Sequence, residues 1–369
     1  IPVERSAMTT PVPQPGIMTI SPYVGGKSKA GEKQTVAKLS SNESPLGPSP
    51  KAVAAIEAVL ADGHRYPDGG SRLLIETIAE VHNIDPARIV CGNGSDELIS
   101  LLNNAYVGPD DEVLFPEHGF LMYAISATVS GATPVKAPEV NRTTDVDSLL
   151  AAVTEQTKIV FLANPNNPTG TYIPQSEVER LRDGLRDDIL LVLDAAYAEY
   201  VTREDYRAGI EMVEAHDNVV MTRTFSKIYG LAAVRLGWAY CPPAIVDVLN
   251  RVRGPFNVNA LAQAGGVEAV RDQAHIEKAR KHNDKWLPIL TQSFRGMGLE
   301  VTPSVGNFLL LDFDGSGKAA VDAEAYLADQ GLLLRAVAGY GLPNCLRMTI
   351  GQDDENHAVI EALRAFLGK

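Results

Sequence analysis

The chain has 369 residues, of which 45% are hydrophobic and 21% are charged, and its formal net charge is −13. This length allows two domains and a large core. The negative charge argues against nucleic acid as a partner, because phosphate backbones need a basic surface, and it argues equally against docking on anionic membranes.

Targeting and redox signals point to a cytoplasmic protein. No apolar run reaches the roughly eighteen residues that a membrane helix needs, and the proline-rich first twenty residues lack the apolar core of a signal peptide. The three cysteines, Cys91, Cys241 and Cys345, are far apart and are predicted to be buried thiols. The seven histidines show no metal-ligand spacing, so no metal is expected.

The first sixty residues are predicted to form an arm and one helix. Residues 1–36 are rich in Pro, Gly and Lys and are predicted to be an extended N-terminal arm that lies on another surface, such as a partner subunit. A helix is predicted over 50–60, because Ser49 can cap it and Pro50 suits its first turn. Residues 37–60 are assigned to part of a small domain.

Residues 61–257 are predicted to form a large α/β domain. Short apolar strands alternate with amphipathic helices, which indicates a mostly parallel sheet between helices. A ligand binds beyond the carboxyl ends of the strands in such a sheet. Strands are predicted at 89–91, 113–115, 159–162, 190–193 and 219–221, with helices that include 97–105, 122–129 and 176–186, and polar residues follow four of the strands: Asn93, Asn164, Asp194 and Thr224.

Residues 258–369 are predicted to form a smaller α+β domain. Its predicted elements are a long helical stretch over 260–294, a strand over 306–313, a helix over 321–330, strands at 332–334 and 346–350, and a closing helix.

Two loops have the residue types of ligand-binding loops. Residues 92–97 (Gly-Asn-Gly-Ser-Asp-Glu) follow a strand and open a helix, which suits either a phosphate site or a capped turn. A dinucleotide-binding fold would need a third glycine where Glu97 stands. Residues 164–170 (Asn-Pro-Asn-Asn-Pro-Thr-Gly) form a dense turn cluster that favours a binding loop, in which Asn167 offers an amide to a ring oxygen.

Asp194 and Lys227 suggest a pyridoxal 5'-phosphate (PLP) site. Asp194 ends an apolar strand, where it can either hold a pyridinium nitrogen or cap the next helix. Lys227 follows another apolar strand, and a nearby cation such as Arg235 would favour the neutral amine that bonds to an aldehyde and later moves a proton. Tyr197 can donate to a ring's phenolic oxygen, and Ser226 to a phosphate.

Arg335 and Arg347 both lie beside apolar strands. One interpretation is that both are surface arginines whose aliphatic chains pack on apolar residues. The other is that the two guanidinium groups together bind a carboxylate or phosphate of the substrate. His118 and Phe120 share a loop after a strand, where an aromatic ring can stack on a cofactor.

In this order along the chain, these motifs resemble the PLP-dependent aminotransferases of the aspartate aminotransferase fold, fold type I, and more closely the histidinol-phosphate aminotransferase family. The resemblance covers nearly the whole chain. It includes Ser21-Pro22-Tyr23, the segments 41–47 and 65–68, the Asn-Pro-Thr-Gly loop, Asp194 with Tyr197, Ser226-Lys227, Arg235, 255–259 and 345–347. Two departures are Ser44, where the family usually has Asn, and Phe120, where it often has Tyr.

The resemblance implies a role for each site residue. Lys227 would carry PLP, Asp194 would hold its ring nitrogen, and Tyr197 and Asn167 its phenolic oxygen. The cofactor phosphate would meet Gly94, Ser95, Asp96, Thr224, Ser226, Arg235 and, from the other subunit of a homodimer, Tyr66. Phe120 would stack on the ring, and Tyr23, Asn42, Arg335 and Arg347 would bind the substrates.

The implied reaction is transamination between L-histidinol phosphate and 2-oxoglutarate, which gives imidazole acetol phosphate and L-glutamate in histidine biosynthesis. An aromatic amino acid aminotransferase and a decarboxylase of a phosphorylated amino acid are alternatives on the same scaffold. A nicotinamide-dependent dehydrogenase would leave Lys227 unexplained. A catalytically silent PLP-binding regulator would need a basic DNA-binding segment that this acidic chain does not show.

Overall fold

A computed structural model describes residues 11–23, 25–27, 29 and 37–369. The predicted arm over 1–36 therefore lies partly outside the described residues. The strands are β1 (Ala37–Lys38), β2 (Ile89–Gly92), β3 (Glu112–Pro116), β4 (Thr133–Ala137), β5 (Glu139–Val140), β6 (Thr143–Thr144), β7 (Thr157–Ala163), β8 (Leu190–Asp194), β9 (Val219–Thr224), β10 (Gly237–Tyr240), β11 (Glu300–Val301), β12 (Phe308–Asp312), β13 (Leu332–Leu333), β14 (Arg335–Val337) and β15 (Leu342–Thr349).

The α-helices lie between these strands. They are α1 (Pro50–Val59), α2 (Arg72–His82), α3 (Ser95–Tyr106), α4 (Leu121–Val129), α5 (Val146–Ala151), α6 (Gln175–Gly184), α7 (Ile210–Ala215), α8 (Pro243–Val252), α9 (Ala260–Arg271), α10 (Gln273–Gly296), α11 (Ala320–Asp329) and α12 (Asp353–Leu367). Short 3-10 helices occupy Ile17–Thr19, Leu60–Asp62, Pro86–Arg88, Ala198–Tyr200, Ala232–Val234 and Ala338–Tyr340.

A seven-stranded sheet forms the centre of the chain, in the order β2-β10-β9-β8-β7-β3-β4. Every neighbouring pair is parallel except the two that β10 makes, which are antiparallel. The predicted mostly parallel sheet is therefore confirmed. The central strands β7 and β8 are apolar along most of their length because helices cover both faces of the sheet there.

The two faces of this sheet pack into separate cores. On β8, Leu191 and Leu193 join a core with α1, α2, α6 and α9, whereas Leu190 and Val192 join a core with α3, α4 and α8. Successive side chains of a strand point to opposite faces, so a continuous apolar run is what burial on both sides requires.

A four-stranded antiparallel sheet, in the order β11-β12-β15-β14, forms the second layer. It packs with α10, α11 and α12 around a core of its own that includes Leu309, Leu346 and Trp286. The parallel pair of β1 and β13 lies beside it and brings Ala37 and Leu39 into the same core. The segment that follows β1 therefore runs from this second layer toward the large sheet.

The predicted helical stretch over 260–294 is divided in the structure. Asp272 ends α9 and begins α10, where its carboxylate accepts from the backbone N–H of His275. Strands β4 and β10 were not among the predicted strands. Helices α1 and α9 pack against each other in a core of the large sheet. The predicted division of the chain into domains stays a prediction. Within the described ranges, none of the helices has the length and apolar character needed to cross a membrane.

Candidate active site

A cavity of about 300 Å³ opens where β7, β8 and β9 end, between the large sheet and the segment 40–43. Its wall brings together all of the predicted site residues except Gly94 and Tyr66. The predicted residues that line it are Tyr23, Asn42, Ser95, Asp96, Phe120, Asn167, Asp194, Tyr197, Thr224, Ser226, Lys227, Arg235, Arg335 and Arg347.

Two of the polar residues that follow strands, Asn164 and Asn93, form hydrogen bonds within their loops and do not line the cavity. The side chain of Asn164 bonds the backbone N–H and the carbonyl of Ile173 across the turn. The backbone N–H of Asn93 donates to the carboxylate of Glu97 at 2.6 Å. Glu97 thus braces the loop at the position where a dinucleotide-binding fold would need glycine.

Lys227 reaches the cavity from the loop after β9. Its Nζ donates to the carbonyl of Ser41 at 3.4 Å and lies 5.7 Å from the centre of the Tyr197 ring. Burial, with a smaller contribution from the charge of Arg347, lowers the pKa of Lys227 to about 8. The sequence suggested Arg235 as an example of such a cation, whereas the structure gives this role to Arg347, and Arg235 forms an ion pair with Asp96.

Asp194 is a buried carboxylate at the end of β8. Tyr123 donates to its Oδ2 at 2.6 Å, and Thr222 contacts its Oδ1 at 3.4 Å. Burial raises the pKa of Asp194, whereas the hydrogen bond from Tyr123 opposes that rise. Among the described residues, no basic side chain forms an ion pair with this carboxylate. Asp194 therefore suits a cationic or N–H donor group bound in the cavity.

Tyr123 was missed by the sequence analysis. It lies three residues after Phe120 on α4, and its fully buried ring stacks on Phe161 at a centroid distance of 4.5 Å. A tyrosine in an otherwise apolar helix face was the available signal, because a buried phenol needs a hydrogen-bond acceptor.

One end of the cavity has the groups for a phosphate. Helix α3 begins there at Ser95, with its backbone N–H groups unpaired by the helix itself. Arg235 extends beside it, donating to Ser226 Oγ at 3.2 Å and to Asp96 Oδ2 at 3.1 Å. Asp96 was expected to contribute its backbone, and in the structure its side chain also holds the guanidinium.

Gly94 does not line the cavity but determines how closely Arg235 can approach. Its φ of 85° lies in the left-handed region, and a Cβ at this position would collide with the guanidinium of Arg235. The need for glycine here is therefore both conformational and steric.

Two arginines form the opposite end. Arg347 is buried, where it donates to Asn167 Oδ1 at 2.6 Å and to the carbonyl of Ser40 at 2.9 Å. Burial lowers the pKa of Arg347 from its ordinary value. Arg335 lies directly opposite it on β14, and its guanidinium is 5.8 Å from the ring of Tyr23.

Tyr197 and Asn42 form the wall between these ends. Asn42 Nδ2 donates to Tyr197 Oη at 2.9 Å, and burial raises the pKa of Tyr197 to about 12. Asn42 was predicted to bind substrate, and its amide is already engaged with a neighbouring side chain.

Three aromatic residues have distinct environments. Phe120 lines the cavity as predicted, whereas His118 pairs with Glu139 at 2.8 Å and does not line it. Tyr66 lies outside the cavity, with 82% of its surface exposed and its ring stacked on Phe256 at 4.5 Å.

Known proteins match this chain over nearly all of its length. The profile of the family "Aminotransferase class I and II" matches residues 34–363. Histidinol-phosphate aminotransferase of Paramagnetospirillum magneticum is 58% identical, with 98% of this chain and 100% of that protein covered. The corresponding protein of Rhodospirillum rubrum is 56% identical, with 97% of each chain covered.

Solved structures of aminotransferases are similar in fold to this chain. The crystal structure of histidinol-phosphate aminotransferase from Sinorhizobium meliloti in complex with pyridoxal-5'-phosphate has a TM-score of 0.89 at 27% identity, covering 98% of this chain and 99% of that one. A single mutant of Thermus thermophilus aspartate aminotransferase has a TM-score of 0.83 at 19% identity, covering 96% of this chain and 100% of that one, which is a likeness of fold. The chain belongs to the aminotransferase class I and II family. Within that family it belongs with the histidinol-phosphate aminotransferases.

The residues that line the cavity fit PLP as a cofactor. Asp194 has no cationic partner among the described residues, so a protonated ring nitrogen would complete its environment. Lys227 has a lowered pKa, which suits an amine that bonds to an aldehyde. The start of α3, with Ser226 and Arg235, offers donors for the phosphate.

Replacement of Gly94 by alanine is expected to weaken PLP binding about tenfold or more, because the positive φ becomes strained and Arg235 is displaced. The dissociation constant of PLP, measured by absorption titration of the cofactor-free protein, checks this. Gly296→Ala is the matched control, since a Cβ there meets no neighbouring atom. Equal affinities for the two variants would contradict the role assigned to Gly94.

The amine of Lys227 is expected to react with amine-directed reagents at a lower pH than the amine of an ordinary lysine. Below pH 8 it is mostly protonated and its modification rate should fall about tenfold per pH unit, whereas above pH 8 the rate should level off. Mass spectrometry of the cofactor-free protein after brief treatment with an amine-directed reagent gives the rate at each pH. Exposed Lys281 is the reference in the same digest. A Lys227 rate that rises in parallel with the reference to pH 10 would show that the site does not lower its pKa.

Proposed function

We propose that the chain catalyses PLP-dependent transamination between L-histidinol phosphate and 2-oxoglutarate, giving imidazole acetol phosphate and L-glutamate, in histidine biosynthesis. The observation that carries this proposal is one cavity that holds a lysine of lowered pKa, a buried carboxylate with no cationic partner among the described residues, and two arginines. Similarity to the histidinol-phosphate aminotransferases over nearly the full length supports the choice of substrates.

PLP, when bound, supplies an electron sink that stabilises negative charge on the reacting carbon of the substrate. Lys227 Nζ moves the proton at that carbon, and its lowered pKa leaves more of the amine unprotonated near neutral pH than in an ordinary lysine. Asp194 balances the charge of the ring nitrogen, while Tyr123 and Thr222 hold the carboxylate in place. Phe120 would stack on the ring, and Tyr197 and Asn167 would hold its phenolic oxygen, since all three line the cavity.

The two arginines bind the anionic groups of the substrates. Arg347 is fixed by Asn167 and by the Ser40 carbonyl, which gives it one orientation for the carboxylate of glutamate. Arg335 lies opposite on the neighbouring strand and serves the phosphate of histidinol phosphate together with Tyr23. Asn42 contributes to the same wall of the cavity.

The expected activity is glutamate formation from L-histidinol phosphate and 2-oxoglutarate by the wild-type protein. Lys227→Ala should fold normally and lose nearly all turnover, because no other amine lines the described cavity. Glutamate release and product spectra of both proteins, with phenylalanine as a competing donor, make the test. Preferred use of phenylalanine would indicate the aromatic aminotransferase, and release of CO₂ the decarboxylase.

Arg335→Ala is expected to lower kcat/KM for L-histidinol phosphate about 10- to 100-fold, because a charge-assisted hydrogen bond to the phosphate is lost. The value for L-histidinol, which has no phosphate, should change little. Steady-state kinetics with both donors give the two ratios, and Arg364→Ala on the exposed face of α12 is the control. Equal losses with both donors would remove Arg335 from the phosphate site.

We infer that the active protein is a homodimer in which Tyr66 of one subunit reaches the cofactor phosphate of the other. The support is the exposure of the stacked pair Tyr66 and Phe256 outside the cavity of their own subunit. We also infer a cytoplasmic location, since all three cysteines are buried free thiols. The large domain over 61–257 and the small domain over 258–369 are proposed in the same way. The separate core of the antiparallel sheet supports a small domain, whereas α9 packs with α1 in a core of the large sheet.

Mixed dimers test the shared site. If Tyr66 acts across the interface, a dimer of one Tyr66→Ala and one Lys227→Ala subunit has one doubly defective site and one intact site. Unfolding and refolding the two variants together at equal amounts should therefore restore about a quarter of wild-type activity. Refolding each variant alone is the control. No recovery in the mixture, with both variants dimeric, would place Tyr66 outside the neighbour's site.

A further inference from the structure

Thr349, the last residue of β15, is buried beneath Asn42 and connects to Tyr197 through it. The backbone N–H of Asn42 donates to Thr349 Oγ1 at 2.8 Å, and that hydroxyl donates to Asn42 Oδ1 at 3.2 Å. Asn42 Nδ2 then donates to Tyr197 Oη at 2.9 Å. Thr349 does not line the cavity, so it acts on the site only through this chain of hydrogen bonds.

The hydroxyl of Thr349 fixes which end of the Asn42 amide faces Tyr197. A backbone N–H can only donate, so it occupies a lone pair of the threonine oxygen and leaves the hydroxyl hydrogen for Asn42 Oδ1. Turning the amide by half a rotation would place its NH₂ group, which cannot accept, against that hydrogen. The opposite end of the amide, the NH₂ group, is thereby directed at Tyr197.

The direction of this bond decides what Tyr197 offers to the cavity. Its oxygen accepts from Asn42, so its own hydrogen remains for an acceptor in the cavity that Tyr197 lines. With the amide turned, Asn42 Oδ1 would accept that hydrogen instead. The pKa of Tyr197, raised by burial to about 12, keeps the phenol protonated throughout the neutral range.

Asn42 is held firmly enough to transmit this effect. Its φ of 54° is in the left-handed region, and Asn307 Nδ2 donates to its carbonyl at 3.0 Å. Both residues are almost fully buried. The backbone on which the amide is mounted is therefore fixed on two sides, by Thr349 and by Asn307.

We propose that Thr349 is a positioning residue that acts through Asn42 to make Tyr197 a hydrogen-bond donor to the phenolic oxygen of PLP. This assignment rests on the proposed function, because it requires PLP in the cavity. It gives Asn42 a second role beside the predicted contact with substrate.

The absorption of the PLP-loaded enzyme as a function of pH tests the proposal. A donor to the phenolic oxygen stabilises its anionic form, so removing the donor raises the pKa of the bound chromophore. Tyr197→Phe should raise the midpoint of the spectral titration by about one pH unit, and Thr349→Val should raise it by a similar amount. Thr349→Ser keeps the hydroxyl and should titrate like the wild type.

Thr77→Val is the matched control, because it removes a buried hydroxyl that donates to Leu73 within α2, and its midpoint should equal that of the wild type. Thr349→Ala replaces the valine variant if the latter does not fold. A midpoint unchanged by loss of the Thr349 hydroxyl, while Tyr197→Phe shifts it, would overturn the proposal and leave the proposed function intact. A serine variant that shifts as far as valine would overturn it too, since the methyl group would then be responsible. A wild-type protein that binds no PLP would overturn both.

Discussion

Burial of charged groups at the carboxyl edge of the large sheet is the constraint on which the site depends. Removal from water raises the pKa of Asp194 and lowers those of Lys227 and Arg347. Each group is thereby moved toward its neutral form unless a partner of opposite charge is present. A cavity that holds such groups close together is complementary to a ligand that carries both positive and negative groups. That complementarity, more than any single motif, favours a phosphorylated pyridine cofactor and anionic substrates.

The two sheets contribute different parts of this cavity. The large sheet supplies Asp194 and the loop of Lys227 at the ends of adjacent parallel strands. The antiparallel sheet supplies Arg335 and Arg347, which its register places opposite each other. The segment that begins at β1 is bonded to both, since Asn42 contacts Thr349 of one and Tyr197 of the other. The residues proposed for cofactor chemistry and those proposed to bind the anionic groups of the substrates thus lie on separate sheets, which one short segment joins.

The sequence predicted many of the residues that line the cavity but few of those that orient them. Asp194 and Lys227 could be predicted because each follows an apolar strand, and the ends of parallel strands converge at one edge. Tyr123 and Thr349 contact residues 71 and 307 positions away in the chain, so no local pattern brings them together with the site. Arg347 is likewise distant from Lys227 in sequence, so no local pattern could identify it, instead of Arg235, as the cation that lowers the pKa of Lys227. Strand β10 pairs with β9, which precedes it in the chain, and with β2, which is distant in sequence, and no local pattern shows the second pairing.

The types of residue in a site do not determine which partner of a hydrogen bond donates and which accepts, and this direction can decide what a side chain offers to a ligand. A phenol beside an amide can either donate to it or accept from it, and only the second arrangement leaves its hydrogen for a ligand. In the cavity wall the backbone N–H of Asn42 can only donate, and it donates to the Thr349 hydroxyl. That contact fixes the direction of the hydrogen bond from Thr349 to the Asn42 amide, and so the direction of the bond from this amide to Tyr197. Because each step is buried, water cannot substitute for a lost member of the chain at little cost. The electronic properties of a bound ring can therefore depend on a threonine that does not touch it.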